Sequence, residues 1–254
     1  MASSGLPLFH DVPASLTLVR HAESRANVAD KRARAEKRAA LDLDVRDADV
    51  DLSDNGLRQA DALGRWFQTL AADDRPTLVL ASPFRRALHT AQRTAGESDV
   101  EIVVDERLRE RELGVFDGLT GRGIRDRYPD EAERRDRLGK FYYRPPGGES
   151  WAEVVFRVRS LLADLRFGYG DARIWMFSHQ AVLMSFRYVL EGIPEQELLE
   201  LDRKVTLGNA SVTTYERQGT SLELTAFADD TVVREGTAGA SHEPAGSDVD
   251  EAPG

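Results

Sequence analysis

Short apolar runs alternate with longer amphipathic segments along most of this chain. Runs rich in Val, Leu, Ile and Phe are typical of buried strands, and they predict strands over residues 15–20, 77–81, 101–104, 173–177, 211–216 and 222–228. Apolar positions that recur every three or four residues predict helices over residues 56–70, 83–95, 150–165 and 182–190. This alternation predicts one α/β domain with three α/β/α layers and a mostly parallel sheet.

Two of the predicted helices carry a start signal. Ser82 precedes Pro83, which predicts an N-cap followed by proline at the first helical position. Ser150 and Glu153 have the spacing of a capping box. We therefore expect these two helices to begin at their serines.

Three segments depart from the regular pattern. Residues 1–14 are expected to form a flexible N-terminus before a domain over residues 15–234. Residues 235–254, rich in Gly, Ala, Ser, Asp and Glu, predict a disordered acidic tail that contains a non-functional His242. Residues 28–52 are strongly charged, basic first and acidic afterwards. One interpretation is a solvated helix and loop, and the other is a lid whose basic part attracts an anionic substrate.

Composition restricts the kinds of partner and chemistry. The 254 residues are 41% hydrophobic and 31% charged, as in a globular protein. A net charge of -10 argues against nucleic acid or an anionic membrane as the main partner. The absence of cysteine excludes disulfides, thiolate metal sites and cysteine nucleophiles. We see neither the apolar core of a signal peptide nor an apolar run of 18 residues, so we expect a cytoplasmic protein without a transmembrane helix.

Two predicted strands end on a histidine. The strand over residues 15–20 ends on Arg20 and runs into His21, and the strand over residues 173–177 runs into Ser178 and His179. Ligands of open α/β sheets bind beyond the carboxyl ends of the strands. We therefore expect the two histidines to share one site, where a histidine beside a fixed positive charge suits attack on phosphorus.

Two arginines follow another predicted strand. Arg85 and Arg86 fall in the first turns of the helix predicted over residues 83–95. There they oppose the helix dipole, at a cost of about 0.3–1 kcal/mol each. A bound phosphate would offset that cost, because helix N-termini and arginine forks both bind phosphate. The alternative is that both side chains simply reach water.

A carboxyl group that could protonate a leaving alkoxide is expected after the strand over residues 101–104. Glu106, Glu110 and Glu112 all lie in the charged run that follows this strand. Composition does not select among the three, and a run of this kind is also typical of a solvated loop.

Residues 16–233 resemble the histidine phosphatase superfamily, which has the phosphoglycerate-mutase-like fold. The similar motifs are the family's Arg-His-Gly-Glu-Ser…Asn signature, its Leu-Thr…Gly…Gln-Ala element, its second-arginine motif, its acid loop and its second histidine. They fall at residues 20–24 with Asn27, at 52–53 with 56 and 59–60, at 82 with 86–87 and 90–91, at 108–110 with 114 and 117–118, and at 178–179. Ala22 replaces the usual glycine of the first motif.

Residues 117–120, 146–150 and 179–182 look most like the fructose-2,6-bisphosphatase branch. Gln180 replaces the glycine that commonly follows the second histidine. The sequence contains no Walker phosphate loop, so the bifunctional kinase-phosphatase is not expected. Met184 stands where that branch carries a phosphate-binding arginine, and Trp151 where it has tyrosine. We therefore expect little grip on a second phosphate.

The resemblance implies a reaction through a phosphohistidine and assigns the residues that carry it. The catalytic residues implied are the nucleophile His21, the proton donor Glu110 and the second histidine His179, and the substrate-binding residues implied are Arg20, Asn27, Arg86 and Gln180. We expect the other ring nitrogen of His21 to donate to a backbone carbonyl. Arginine and histidine supply the positive charge, so no metal and no cofactor are expected.

Three functions follow from this resemblance. The favoured function is hydrolysis of small phosphate monoesters, with a small phosphorylated metabolite as the partner. A mutase must keep water from the phosphohistidine, but the short span from Glu110 to His179, with Gln180 and Glu149 at the expected entrance, favours an open site. A non-catalytic module that binds phospho-ligands is the third function, although such modules usually lose one of the conserved arginine and histidine positions of the family. The assembly state stays open, with a homodimer as one alternative.

Overall fold

A six-stranded sheet lies at the centre of the computed structural model, which describes residues 12–205, 207–236 and 239–241. Its strands are β1 Ser15–Arg20, β2 Leu78–Ala81, β3 Ile102–Val104, β4 Arg173–Ser178, β5 Val212–Gln218 and β6 Ser221–Asp229. Their order across the sheet is β3-β2-β4-β1-β5-β6. Strands β1 to β4 run parallel to one another. Strand β5 pairs antiparallel with β1, and β6 pairs antiparallel with β5. The predicted mostly parallel sheet is confirmed.

Helices connect the strands and cover both faces of the sheet. In the described ranges they are α1 Arg25–Ala35, α2 Asp54–Thr69, α3 Arg85–Ala95, α4 Gly121–Arg127, α5 Pro129–Leu138, α6 Trp151–Asp164, α7 Gln180–Glu191, α8 Glu195–Lys204 and α9 Thr231–Glu235. Short 3₁₀ turns at Asp47–Asp49, Glu106–Leu108 and Gly114–Phe116 lie in the loops near the carboxyl ends of the strands.

Alternate residues of each central strand enter opposite cores. Leu18 of β1 belongs to a core that includes Val158 of α6 and Phe186 of α7. The next residue, Val19, belongs to a second core that includes Leu63 of α2. This alternation follows from the two-residue period of a strand. The predicted three-layer α/β/α arrangement is confirmed.

The two predicted helix starts have different outcomes. The capping box of Ser150 and Glu153 is confirmed, because each residue bonds the backbone N–H of the other. Helix α3, however, begins at Arg85 with Phe84 as its N-cap, so the predicted start at Ser82 is wrong. The Ser82 hydroxyl accepts the N–H of Phe84 and lies 2.9 Å from a ring nitrogen of His179. This serine serves the site rather than the helix.

The described parts of both predicted flexible ends pack on the domain. Val12 is buried, and the N–H of Ala14 donates to a backbone carbonyl of the domain over 2.9 Å. Residues 239–241 hydrogen-bond to Asn55, Gln59 and Asn209. The predicted domain limits of 15 and 234 are therefore too narrow for residues 12–14, 235–236 and 239–241. The rest of both predicted ends, including His242, lies outside the described residues.

No helix in the described ranges is both long and apolar enough to cross a bilayer.

Candidate active site

The two histidines lie beside each other because their strands are neighbours. Strands β1 and β4 pair in parallel, with Arg20 opposite Ser178, so the residues that follow leave the sheet together. The N–H of His21 donates to the carbonyl of Ser178 over 2.9 Å. The rings of His21 and His179 have centroids 5.1 Å apart. The predicted meeting of the two strand ends is confirmed.

One ring nitrogen of His21 is fixed by the backbone. Nδ1 lies 2.8 Å from the carbonyl oxygen of Ala22. Because a carbonyl only accepts, Nδ1 carries the proton, which leaves the lone pair on Nε2. Burial and the charges of Arg86 and Arg20 hold the pKa of His21 well below its usual value of 6.5. The ring therefore stays neutral, the state that a nucleophile requires.

His179 is fully buried between a hydroxyl and a carboxylate. Its Nε2 lies 2.9 Å from the hydroxyl of Ser82, and its Nδ1 lies 3.8 Å from a carboxylate oxygen of Glu110, too far for a hydrogen bond. Burial, and then the charges of Arg86 and of His21, hold the pKa of His179 well below its usual value. In the unliganded protein this second ring is therefore also neutral.

The two predicted phosphate-binding arginines occupy different positions. Arg86 lies in the first turn of α3, its side chain is 5% exposed, and its guanidinium pairs with Asp47 over 3.0 Å. Arg86 lines the cavity beside His21. The Arg20 side chain is buried behind His21 and donates to the carbonyl of Leu207. Arg20 therefore acts on His21 through its charge and is not part of the cavity wall.

The three candidate acids are separated by their positions. Glu110 and Glu112 line the cavity, whereas Glu106 lies on the surface outside it. One oxygen of Glu110 accepts the N–H of Arg111 over 2.8 Å, and the other faces His179. Glu112 is an exposed residue, and the part of its side chain that is buried raises the pKa of its carboxyl group. Glu110 is the carboxylate next to the histidine pair.

Salt bridges support the loop that carries Glu110. Arg157 of α6 donates to the carbonyls of Arg107 and Glu110 and pairs with Glu149 over 3.1 Å. Glu149 also pairs with Arg109 over 2.6 Å. Glu149 was expected at the entrance, but it is not part of the cavity wall. Its role is to fix the loop on both sides of the acid.

The amide of Asn27 has a defined orientation. Its Oδ1 accepts the N–H of Ser24 over 2.9 Å, the hydroxyl of Ser24 over 3.0 Å and an amide N–H of Asn209 over 3.3 Å. The Nδ2 group is therefore the end that can donate to a ligand, and Asn27 lines the cavity. Asn209 was not predicted from the sequence, since a single asparagine in a loop carries no signal.

Gln180 and Trp151 also line the cavity. The Gln180 amide donates to a carboxylate oxygen of Asp202 over 3.1 Å, and the second oxygen of Asp202 pairs with Lys140 over 3.0 Å. Met184 lies fully buried in the apolar core. Met184, which we expected to contribute no contact to a second phosphate, therefore faces the core.

The Leu52–Gln59 part of the family resemblance forms a support behind the nucleophile. Gln59 accepts the N–H of Glu23 over 2.8 Å, and the Ser53 hydroxyl donates to the Glu23 carboxylate over 2.5 Å. A Cβ on Gly56 would lie 1.9 Å from the carbonyl oxygen of Glu23. These contacts hold the start of α2 against the loop that follows β1. They act on structure and do not line the cavity.

The candidate active site is a cavity of about 150 Å³ at the carboxyl ends of β1, β2 and β4. Of the seven residues predicted for the site, those in its wall are His21, Asn27, Arg86, Glu110 and Gln180. Arg20 and His179 are buried and do not line the cavity. The sequence did not single out Asp47 or Asn209, and it placed Ser82 only at a helix start and in the second-arginine motif. Each of the three contacts one of the predicted residues.

Comparison with known sequences supports the family resemblance. A model of the histidine phosphatase superfamily (branch 1) matches residues 16–230. The chain is 32% identical over 193 residues to a Caenorhabditis elegans 6-phosphofructo-2-kinase/fructose-2,6-bisphosphatase, covering 76% of this chain and 36% of that protein. It is 28% identical over 227 residues to a Saccharomyces cerevisiae fructose-2,6-bisphosphatase, covering 82% and 45%. The chain thus spans less than half the length of these two relatives.

Other relatives are more similar in size. A phosphoserine phosphatase 1 of Hydrogenobacter thermophilus is 27% identical over 179 residues, covering 70% of this chain and 76% of that protein. A mycobacterial glucosyl-3-phosphoglycerate phosphatase, solved with VO3, superposes with a TM-score of 0.68 at 26% identity, covering 85% of this chain and all of that one. An alpha-ribazole phosphatase of Shigella flexneri, 21% identical, superposes with a TM-score of 0.69 over 85% of this chain and 96% of that one, which shows the shared fold.

Proposed function

Because the chain belongs to the histidine phosphatase superfamily (branch 1), we propose that it hydrolyses small phosphate monoesters through a phosphohistidine on His21. The observation that carries this proposal is the fixed tautomer of His21, whose Nε2 lone pair faces a cavity shared with Arg86 and Glu110. A nucleophile, a cationic fork and a proton donor are the groups that such a reaction needs.

The first step transfers the phosphoryl group to the enzyme. Nε2 of His21 attacks phosphorus, the N–P bond forms and the bond to the ester oxygen breaks. Glu110, in its protonated form, gives its proton to the leaving oxygen, so an alcohol departs. The Nδ1–H bond to the carbonyl of Ala22 stabilises the charge that develops on the imidazole.

The second step returns the enzyme to its starting state. Water attacks the phosphorus of the phosphohistidine, and Glu110 takes a proton from this water. The N–P bond breaks, the electron pair returns to Nε2, and inorganic phosphate leaves. Glu110 is thus acid in one step and base in the next.

Positive charge and N–H groups stabilise the transferring phosphoryl group. Arg86 and the Nδ2 group of Asn27 would bind its oxygens directly from the cavity wall. Arg20 and His179 lie behind His21, where the charge of Arg20 adds to the local potential. No residue in this account depends on a metal.

Hydrolysis is favoured over phosphoglycerate mutase-type transfer. Met184 is buried in the core, so a second phosphate finds no cation at that position. Gln180, which does line the cavity, presents an amide that is bonded to Asp202. The proposed substrate is therefore a monophosphate ester of a small metabolite, and no bisphosphate primer is required. The cytoplasm is the proposed location.

The proposal is tested by phosphate release from a panel of phosphate esters with EDTA present. Wild-type protein should release phosphate, and His21→Ala should not, although its thermal unfolding stays cooperative. Protein quenched during turnover should carry an acid-labile phosphate on His21. Loss of activity in EDTA, or substantial turnover by His21→Ala, contradicts the mechanism.

A second assay on the same preparation separates the alternatives. If 3-phosphoglycerate converts to 2-phosphoglycerate faster than phosphate appears, and only with bisphosphoglycerate added, the protein is a mutase. Binding of phosphate esters without turnover of any of them would identify a non-catalytic module.

A further inference from the structure

The charged segment 28–52 contacts the proposed active site through Asp47, a residue to which the proposed mechanism gives no role. Two nitrogens of Arg86 bond to the two carboxylate oxygens of Asp47, each over 3.0 Å. The backbone carbonyl of Asp47 accepts a further bond from Arg86 over 2.7 Å. This is an end-on, bidentate pair on the arginine that faces the phosphoryl group. We propose that Asp47 is a positioning residue, which orients Arg86 for the phosphoryl group of the substrate.

The donors of Arg86 show what remains for a ligand. A guanidinium has five N–H donors in a planar fork. Asp47 takes both donors of Nη1 and one of Nη2. Among the described residues, no acceptor bonds the Nε–H or the remaining N–H of Nη2 of Arg86. These two donors point in parallel from the side edge of the fork, the geometry that binds two oxygens of one phosphoryl group.

The segment that carries Asp47 is anchored by the residues that follow Asp47 in the chain. Asp51 forms a salt bridge with Arg85 over 3.1 Å and lies 3.0 Å from a ring nitrogen of His89, so it is held against the first turns of α3. Val50 and Leu52 are buried. Asp47 therefore enters the site on a fixed backbone, as a residue that orients another must.

This arrangement decides between the two interpretations of residues 28–52. The basic part was expected to face the substrate, but Arg32 pairs with Glu36, the C-cap of α1, and Arg34 pairs with Asp30 of α1. Asp47 of the acidic part is the residue of the segment that pairs with Arg86. A carboxylate that merely blocked Arg86 would have to swing away when substrate binds, which the anchoring by Asp51 opposes. Asp47 therefore stays on Arg86 when phosphate is bound.

The experiment compares Asp47→Asn with Asp49→Asn. Both changes remove one negative charge from the same 3₁₀ turn, but Asp49 pairs with Arg46 at the surface. With p-nitrophenyl phosphate as substrate, kcat/KM of Asp47→Asn should fall about 10-fold to 100-fold, mainly in kcat. Vanadate, which mimics the transition state, should inhibit this variant more weakly by a similar factor. Asp49→Asn should match the wild type, and Asp47→Glu should recover part of the loss.

A double-mutant cycle tests whether Asp47 acts through Arg86. In an Arg86→Ala background, Asp47→Asn should have no further effect on kcat/KM. Equal losses in Asp47→Asn and Asp49→Asn, or full additivity in the cycle, would overturn the proposal. A fall in KM together with tighter vanadate inhibition would also overturn it, because that result identifies a blocking carboxylate.

The proposal rests on the phosphatase function, and the two can fail separately. If wild-type protein releases no phosphate from any ester, the proposed function fails. Vanadate binding measured by calorimetry still tests Asp47, since it requires no turnover. If the wild type is active and Asp47→Asn has the same kinetics as the wild type, the proposed role of Asp47 is rejected and the phosphatase function stands.

Discussion

At the residue scale, Glu110 is distinguished from its neighbours by its contacts. It is the cavity carboxylate that faces His179, while Glu112 is exposed and Glu106 lies outside the wall. We expect Glu110→Gln to lower the rate about 10²–10⁴-fold, the usual contribution of positioned proton transfer. Nitrophenyl phosphate should suffer less than an alkyl phosphate, because its leaving group needs no proton.

Parallel kinetics of both esters check this prediction. Glu112→Gln is the matched control, since it makes the same change in the same cavity wall. Equal losses with good and poor leaving groups, or an equal loss in Glu112→Gln, contradict the assignment of the acid.

The protonation of the histidines is a second property at this scale. Burial, and then the charges nearby, lower the pKa of His21 and His179 below 6.5 in the folded protein. The folded state then binds fewer protons than the unfolded state between the folded pKa values and 6.5. Stability from this source is complete above pH 6.5 and is lost as the pH falls below it.

Proton NMR of the histidine C2–H resonances measures this directly. The two signals that disappear in His21→Ala and His179→Ala should remain those of neutral imidazole well below pH 6.5. Titration of either site histidine at or above pH 6.5 would contradict the expected direction.

At the element scale, the first turn of α2 supports the loop of the nucleophile. Gly56 packs so close to the Glu23 carbonyl that an added Cβ would lie 1.9 Å from that oxygen. Helix propensity alone predicts that Gly56→Ala stabilises the protein by up to about 1 kcal/mol. The close approach predicts the opposite, a loss of about 1–3 kcal/mol with reduced turnover.

Urea unfolding and phosphate release of the Gly56→Ala variant decide the sign. Arg58→Ala, an exposed position on the same helix, should change both quantities little. If Gly56→Ala is more stable and fully active, the loop that carries Glu23 can shift without loss of stability or turnover, and the prediction is wrong.

At the scale of the whole molecule, the C-terminal segment holds two buried amides behind the site. The side chain of Gln59 donates to Gly239 and Ser241, and Asn209 exchanges hydrogen bonds with Ser241. The sequence predicted a disordered tail over residues 235–254, and a chain without such a tail would keep its stability and rate. The hydrogen bonds of residues 239–241 change that expectation. Removing them leaves buried polar groups without their hydrogen-bond partners, at a cost of about 1–3 kcal/mol.

Two truncated chains test this boundary. A chain that ends at Ser241 should melt and turn over like the full chain, and one that ends at Glu235 should melt lower, by about 2–4 °C for each kcal/mol. Equal melting temperatures of the two chains would restore the original boundary and show that residues 239–241 contribute nothing.

The sequence by itself determined the strands and the chemistry at their ends. Continuous apolar runs predicted β1 and β4, because both faces of these central strands are buried and such a run is visible in the local sequence. The placement of His21 beside His179 followed from the rule on strand ends. Helices α4 and α5 were missed, because short charged helices bury few side chains and α5 buries none. The choice of Glu110 came from the family motif, since three glutamates in one run are chemically alike.

Only the tertiary structure decided which polar groups support the site. Ser82 was expected to cap α3, but its hydroxyl lies 2.9 Å from a ring nitrogen of His179, which follows another strand. Asp47 is one of six aspartates in residues 28–52, and nothing in the sequence marks it as the partner of Arg86. Residues 239–241 have a composition typical of disorder, yet they bond to Gln59 and Asn209. Such contacts join residues far apart in the chain, so no local pattern predicts them.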